Sequence, residues 1–382
     1  MMADSIPIRD PHASWPTRYP NRRAVGYLCT YVPEEMIHAA GLTPIRIVPG
    51  TAPATRADAH LQSYTCCLAK GCLDQALSGK LAFLEGVVFA HTCDTMQGLA
   101  DIWHEAFPQL FVDTVVGPVR LDGPHSKEYL VAELRRFRSS LQDHFKAALS
   151  DDDLRASIRL YNTRRRALAE FYARRASYSA VDWFNLMDEA LTAPPEESQV
   201  SGSPSEAKSA IRDLQSAIPL VLSGSTIDEP TLPQILDDLG ARIAADDFCN
   251  GARYFDTLVR EEGDPLEALA DRELTRAHCP CKHRGLNARA ERLLELVRAH
   301  GARGVIFYNK KFCDPHAWDL VPLAAALDRA GIPHLALETE AVAPAGQVRV
   351  RVEAFLEMIS APRGSFFPAG KEGSVRPLKG AP

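Results

Sequence analysis

The stretch Glu85–Val116, EGVVFAHTCDTMQGLADIWHEAFPQLFVDTVV, decides the fold. EGVVFAHT (85–92) is a short, continuous apolar run and reads as a buried strand. MQGLADIWHEAF (96–107) has helical spacing, and QLFVDTVV (109–116) is a second strand. Strand, helix, strand in this order predicts a parallel crossover unit. Cys93 stands just past the first strand and before the helix.

The same alternation extends outward. AVGYLCTY (24–31) reads as a buried strand and PEEMIHAAG (33–41) as a short helix. Pro33 suits its first turn, Glu34 and Glu35 suit its N-terminus, and Gly41 stops it. PIRIVP (44–49) is a strand, and CCLAKGCLDQALSG (66–79) a helix with Cys66 at its N-terminus. From Ser126 to about Ala180 the chain is charged, densely basic and helical in period; the basic residues read as a solvated helix face. TAPPEESQVSGSPSEAKS (192–209) is a loop or link.

A second alternating region follows. Its strands are IPLVLSGS (218–225), ARIAADDF (241–248), ARGVIFYN (302–309) and PHLALE (333–338). Its helices are TLPQILDDLG (231–240), ARAERLLELVRAHG (288–301), HAWDLVPLAAALDRAG (316–331) and GQVRVRVEAFLEMI (346–359). The expected class is α/β: two Rossmann- or flavodoxin-like domains with mostly parallel sheets and a helical segment between them. The expected boundaries are 1–125 for the first domain, 126–210 for the helical segment and link, 211–362 for the second domain and 363–382 for a loose tail.

With 382 residues, 46% hydrophobic and 24% charged, the chain suits a soluble globular protein. A net charge of −6 gives no basic footprint for nucleic acid. No apolar run approaches ~20 residues, so no membrane span is expected. The N-terminal MMADSIPIRDPHASWPTRYPNRR has no apolar secretory core, and a cytoplasmic location is expected. No P-loop occurs, since Gly79-Lys80 lacks the rest of that pattern, and no G-x-G-x-x-G follows a strand. G-x-S-x-G and H-E-x-x-H are absent too.

Nine cysteines then need a role. In a reducing compartment they are not expected to pair as disulfides, and an odd number cannot all pair. Cys93 follows a strand of the first region, and Cys313, in FYNKKFCDPH, has the same place in the second. Strand carboxyl ends are where open α/β sheets build sites. Helix N-termini favour thiolates through free N–H groups and the dipole. Local cysteine ladders of the ferredoxin kind are absent. By position alone, ligands and buried thiols both remain open readings.

Longer stretches carry a resemblance. GYLCTYVPEEMIHAAGLTPIRI (26–47), residues 61–103 with QSYTC (62–66), DDFCNGARYF (246–255), GDPLEALADRELTRAHCPC (263–281) and GVIFYNKKFCDPHAWDL (304–320) resemble the cluster-bearing subunits of the 2-hydroxyacyl-CoA dehydratase and benzoyl-CoA reductase family. QSY-x-C is similar to the smaller cluster-bearing subunit of the reductases. The resemblance spans most of 24–360. It implies a [4Fe–4S] cluster on Cys66, Cys93 and Cys313, with one iron left open. It further implies an acyl-CoA substrate and an enzyme subunit, either a dehydratase (lyase) working through a ketyl radical or a ring reductase. The implied partners are a homologous second subunit or a second copy, and an ATP-hydrolysing activator iron–sulfur protein. That activator fits the missing phosphate loop here.

The resemblance leaves alternatives. Homodimeric relatives carry a double-cubane [8Fe–9S] cluster, which would add Cys249, Cys279 and Cys281. A third reading is an electron-transfer subunit with no substrate of its own. Thr30 stands where a hydroxyl lines the substrate site in some members; otherwise it is a strand-end residue. Lys70 stands where many members have arginine, and either holds an anion or caps solvent. Cys67 is passed over in favour of Cys66, and Cys29 and Cys72 read as core thiols. His91, Asp94, Asp314 and His316 flank the ligands as donors that tune a cluster, with helix capping the other reading for the two aspartates. Asp246 and Asp247 suit ribose hydroxyls or, more simply, a loop turn.

Overall fold

A computed structural model describes residues 11–50, 53–197, 216–285, 287–340 and 344–361. The tail at 363–382, and the link from residue 198 to 210, lie outside the described residues. The first part runs α1 (Pro11–Arg18), β1 (Ala24–Leu28), α2 (Glu34–Ala39), β2 (Thr43–Arg46), α3 (Cys67–Leu77), β3 (Leu84–Ala90), α4 (Asp94–Ala106) and β4 (Phe111–Val115). Three helices follow: α5 (Ser126–Phe145), α6 (Asp151–Ala173) and α7 (Ala180–Thr192). The last part is β5 (Ile218–Gly224), α8 (Thr231–Asp238), β6 (Ala241–Asp247), α9 (Ala252–Phe255), α10 (Pro265–Thr275), α11 (Ala288–Ala299), β7 (Gly304–Lys310), α12 (Asp314–Arg329), β8 (His334–Thr339) and α13 (Ala345–Ser360).

The two sheets repeat one design. Their strand orders are β2-β1-β3-β4 and β6-β5-β7-β8, and every pairing is parallel. The doubly wound α/β expectation is met. In each sheet the chain first moves one way and then returns to the other side of its first strand. The carboxyl ends of β1/β3 and of β5/β7 are therefore topological switch points, where such sheets leave a crevice. Helices cover both faces, and β1 and β7 are buried at every residue, which explains their unbroken apolar runs.

The core follows that layering. One face of the first sheet packs with α1, α3 and α4 around Leu28, Ile45, Phe89 and Trp103. Its other face meets α2, α5 and α6 around Val25, Val88, Phe137 and Ile158. The second sheet packs α7, α8 and α13 around Leu222, Trp183 and Phe355, and α11 and α12 around Val305, Leu293 and Leu327.

One segment departs from this division. Helix α10 follows β6 in sequence, yet Leu266 and Leu269 bury into the first sheet's core beside Leu130 and Leu134 of α5. Pro265 in its first turn and the Asp264 carboxylate, which accepts from the amides of Leu266 and Glu267, start the helix. The chain then runs along the first half, where Leu121 donates to His283 O (2.9 Å) and His283 donates to Val119 O (3.0 Å). This crossing carries Cys279 and Cys281 onto the first half. One strand also ends earlier than the sequence suggests: β1 stops at Leu28 because Cys29 takes a left-handed φ of 81°.

Candidate functional site

Cys66, Cys93 and Cys313 each occupy the residue just before a helix: α3, α4 and α12. Such positions face free first-turn N–H groups. The Leu68 amide faces the Cys66 sulfur, and those of Thr95 and Met96 face Cys93. Cys93 and Cys313 hold equivalent places, after the third strand of their sheets. All three pack on one apolar cluster of the first half, with Cys66 buried and the other two at its edge.

The thiols form two contacting groups. In the first, Cys66 and Cys313 hydrogen-bond, and that bond is the main cause pushing Cys66 up to about 12. The Cys313 sulfur also lies 3.3 Å from His316 Nδ1. In the second, Cys281 touches both Cys93 and Cys279. Its hydrogen bonds push Cys281 up, lower Cys93, and bring Cys279 down to about 6, helped by Arg253 and Arg289. Cys29 is raised to about 11 by burial, then by neighbouring Cys249 and Cys279. Cys29 packs against the first half's core, as a core thiol does, with Cys249 and Cys279 nearby. Cys72 is a core thiol as expected, fully buried with Ile47 O 3.9 Å away.

Between the switch points lies an open cavity of ≈ 480 Å³, lined among others by Thr92, Cys93, Pro280, Cys281, Asp314 and Trp318. Trp318 stands 81% exposed at its mouth. Behind the thiols the protein buries cations: Arg46, Arg253, Lys282, Arg289 and Lys310. Arg46 donates to Cys249 O (3.3 Å) and Lys282 to Gly117 O (2.8 Å); neither has a carboxylate ion pair among the described residues. Lys310 pairs with buried Asp228 beside Cys67. Asp247 faces Arg253 (3.4 Å), Arg289 (3.0 Å) and Arg292 (3.9 Å), which together outweigh burial and hold its carboxyl far below the usual range.

Other expected site residues separate. Thr30 is buried and its carbonyl accepts from Arg276 (2.8 Å), which ties the end of β1 to the segment after α10. Lys70 pairs with Asp58 (2.7 Å) and Ser63 O (3.3 Å), so it is already occupied. The Cys67 thiol instead stays in contact with Cys66 by a hydrogen bond, and its sulfur lies 4.0 Å from Thr339 O. Asp94 and Asp314 sit in the first turns of α4 and α12 and line the cavity, while the cap positions belong to the cysteines. His91 lies in a smaller crevice with Tyr31, Glu35 and Lys282. The Asp246 carboxylate accepts from the Phe248 (3.1 Å) and Ala252 (2.9 Å) amides and shapes the Cys249 loop. For Asp246 and Asp247 the loop and ion-pair role therefore prevails over ribose binding.

Among the described residues no three Cys, His, Asp or Glu side chains stand close enough to share one metal ion. Thiolates on different irons of a cluster stand farther apart, and an anionic cluster answers the surplus of buried positive charge. Nε and Nη1 of Arg253 are buried without a hydrogen-bond acceptor.

A family model for the 2-hydroxyglutaryl-CoA dehydratase D-component matches residues 29–359. The chain belongs to this family. A benzoyl-CoA reductase subunit from Thauera aromatica is 29% identical over 85% of this chain and 87% of its own. The (R)-phenyllactyl-CoA dehydratase beta subunit of Clostridium sporogenes is 23% identical over 88% and 92%. The (R)-2-hydroxyglutaryl-CoA dehydratase beta subunit of Acidaminococcus fermentans is 26% identical over 88% and 93%. Family members of both kinds are enzyme subunits, which matches the expected reductase or dehydratase role. No helix among the described residues is long and apolar enough to cross a membrane.

Proposed function

We propose that this chain is the iron–sulfur subunit of an acyl-CoA enzyme of the 2-hydroxyacyl-CoA dehydratase or benzoyl-CoA reductase type. What supports the reading is that Cys66, Cys93 and Cys313 each stand at a helix N-terminus and pack on one apolar cluster of the first half. These residues would hold a [4Fe–4S] cluster. When bound, such a cluster supplies single low-potential electrons to an acyl-CoA. The protein's share is electrostatic and steric. Helix amides and buried cations stabilise negative charge, the walls of α4 and α12 limit water, and the cavity beside Cys93 leaves room for a substrate group. The enzyme is completed by a homologous second subunit, and an ATP-dependent activator delivers the electron. Nine unpaired cysteines suit a reducing, cytoplasmic setting.

A second reading has its own support. Cys281 contacts Cys93 and Cys279, with Cys249 and Cys29 alongside, so more thiols gather than one cubane requires. A double-cubane cluster would use Cys249, Cys279 and Cys281 as well. Iron and sulfide per chain in anaerobically purified protein separate the readings: about four irons for one cubane, about eight for two. Protein without iron or visible absorbance would sink both. Tight acyl-CoA binding excludes a purely electron-carrying role.

A further inference from the structure

Among the cations buried behind the cleft, Arg253 has only a carboxylate it shares, that of Asp247. Its side chain is 1% exposed. It belongs to α9, directly after the Cys249 loop. Nη2 donates to Gly224 O and to Asp247 O (2.7 Å), and lies 3.5 Å from His316 Nε2. That imidazole contacts the Cys313 sulfur with its other nitrogen. Nη2 thus spends both its hydrogens on backbone oxygens.

The remaining donors are unspent. A guanidinium carries five N–H groups. The one on Nε and the two on Nη1 are buried without a hydrogen-bond acceptor. The single acid beside Arg253 is Asp247, at 3.4 Å in poor hydrogen-bond geometry, and Arg289 and Arg292 compete for it. Arg289 has Asp319 besides, and Arg292 has Asp256, but Arg253 has no further carboxylate among the described residues. What does lie within its field is sulfur: Cys249 and Cys279 on one side, Cys313 through His316 on the other. Burying charged donors with no acceptor is costly, and natural proteins rarely leave them so.

We infer that Arg253 directs its free N–H groups at the sulfur of the bound iron–sulfur cluster, joins the two thiol groups electrostatically, and sets the cluster's reduction potential. The inference rests on the cluster reading above. N–H···S bonds and a fixed positive charge stabilise the reduced, more negative form, so they raise the potential. A purely structural arginine braced on Gly224 and Asp247 would leave the potential alone.

The test uses the full chain, purified anaerobically as wild type, Arg253→Met and Arg253→Lys. Iron and sulfide are counted, and the potential is titrated by EPR. Arg253→Met should lower the equilibrium constant for one-electron reduction at least tenfold, a shift of about 59 mV to more negative values. Arg253→Lys, which keeps the charge, should recover most of it. Iron lost from the Met variant but retained by the Lys variant supports the inference, because charge then holds the cluster. An unchanged potential in an iron-replete Met variant overturns it, as does equal iron loss in both variants. Wild-type protein with no cluster would instead remove the reading beneath it.

Discussion

Glu35 and Arg165 form a buried ion pair that joins α2 to α6 just behind the Thr30 loop. The atoms are 2.6 Å apart and the side chains 2% and 1% exposed. Burial pushes the Glu35 carboxyl up, but Arg165 and then Arg272 more than offset this and hold it below its ordinary value. Arg165 also lies 5.6 Å from the Tyr161 ring and 5.9 Å from that of Tyr254. Glu35→Gln keeps the shape and removes the charge, leaving a guanidinium buried against an amide. Losing one partner of such a pair costs about 3–5 kcal/mol, whereas replacing both by apolar groups is close to neutral. Glu35→Leu with Arg165→Met should therefore recover most of the stability lost by either change alone. Urea unfolding of the cluster-free protein, followed by circular dichroism, measures all three. The pH profile gives a second reading. Because the folded pKa lies below the unfolded one, the pair's contribution is complete above the unfolded pKa. It fades as pH falls through the folded pKa. The Gln variant should lack that acid-side loss. A Glu35→Gln protein within ~1 kcal/mol of wild type would refute the reasoning, for the pair would then be no less solvated than a surface bridge.

Cys93→Ala or Cys313→Ala should abolish iron binding and activity, whereas Cys72→Ala should keep both at a cost of ~1 kcal/mol or so, read by iron analysis and thermal melting. Gly251→Ala places a Cβ 2.0 Å from Asp246 Oδ1. It should cost about 1–3 kcal/mol and shift the Cys249 loop, so iron falls if Cys249 is a ligand and holds if it is not. Air should bleach the visible absorbance and end activity within hours, because an iron with an open position is chemically exposed; activity that survives would argue against that open site.

The sequence was most legible where one period ruled. The buried strands β1, β3, β5 and β7 announce themselves as short apolar runs, and the cysteines after β3 and β7 mark strand ends without any structure. Boundaries drifted where a single backbone torsion decided them, as at Cys29. Helix α7 went unassigned, although Val181, Trp183, Met187 and Leu191 have helical spacing. It packs on α8 of the second half and on α1 and β2 of the first, so its role was set by tertiary packing. The meeting of Cys281 with Cys93 was hidden for the same reason. It depends on α10 leaving its own half, a decision made by Leu266 and Leu269 finding the first sheet's core. Arg253 stood within DDFCNGARYF and Lys282 just past the stretch ending in AHCPC, but burial is what turns ordinary basic residues into part of a site.

The repeat of strand order gives the site its logic. Cys93 and Cys313 take the same place in the two sheets, and Cys66 and Cys249 both follow a second strand. The thiols also pair across the halves. Cys66 meets Cys313, and Cys93 meets Cys281, which the chain carries over from the second half. The polar ties across the halves do likewise: Arg46 donates to Cys249 O and Arg276 to Thr30 O. Neither sheet alone gathers these thiols, so docking the halves and bringing the thiols together are one event. Whatever binds across those thiols must therefore stabilise the docked chain by mass action, and a mutation that loosens the docking weakens the binding by the fraction of chain left docked.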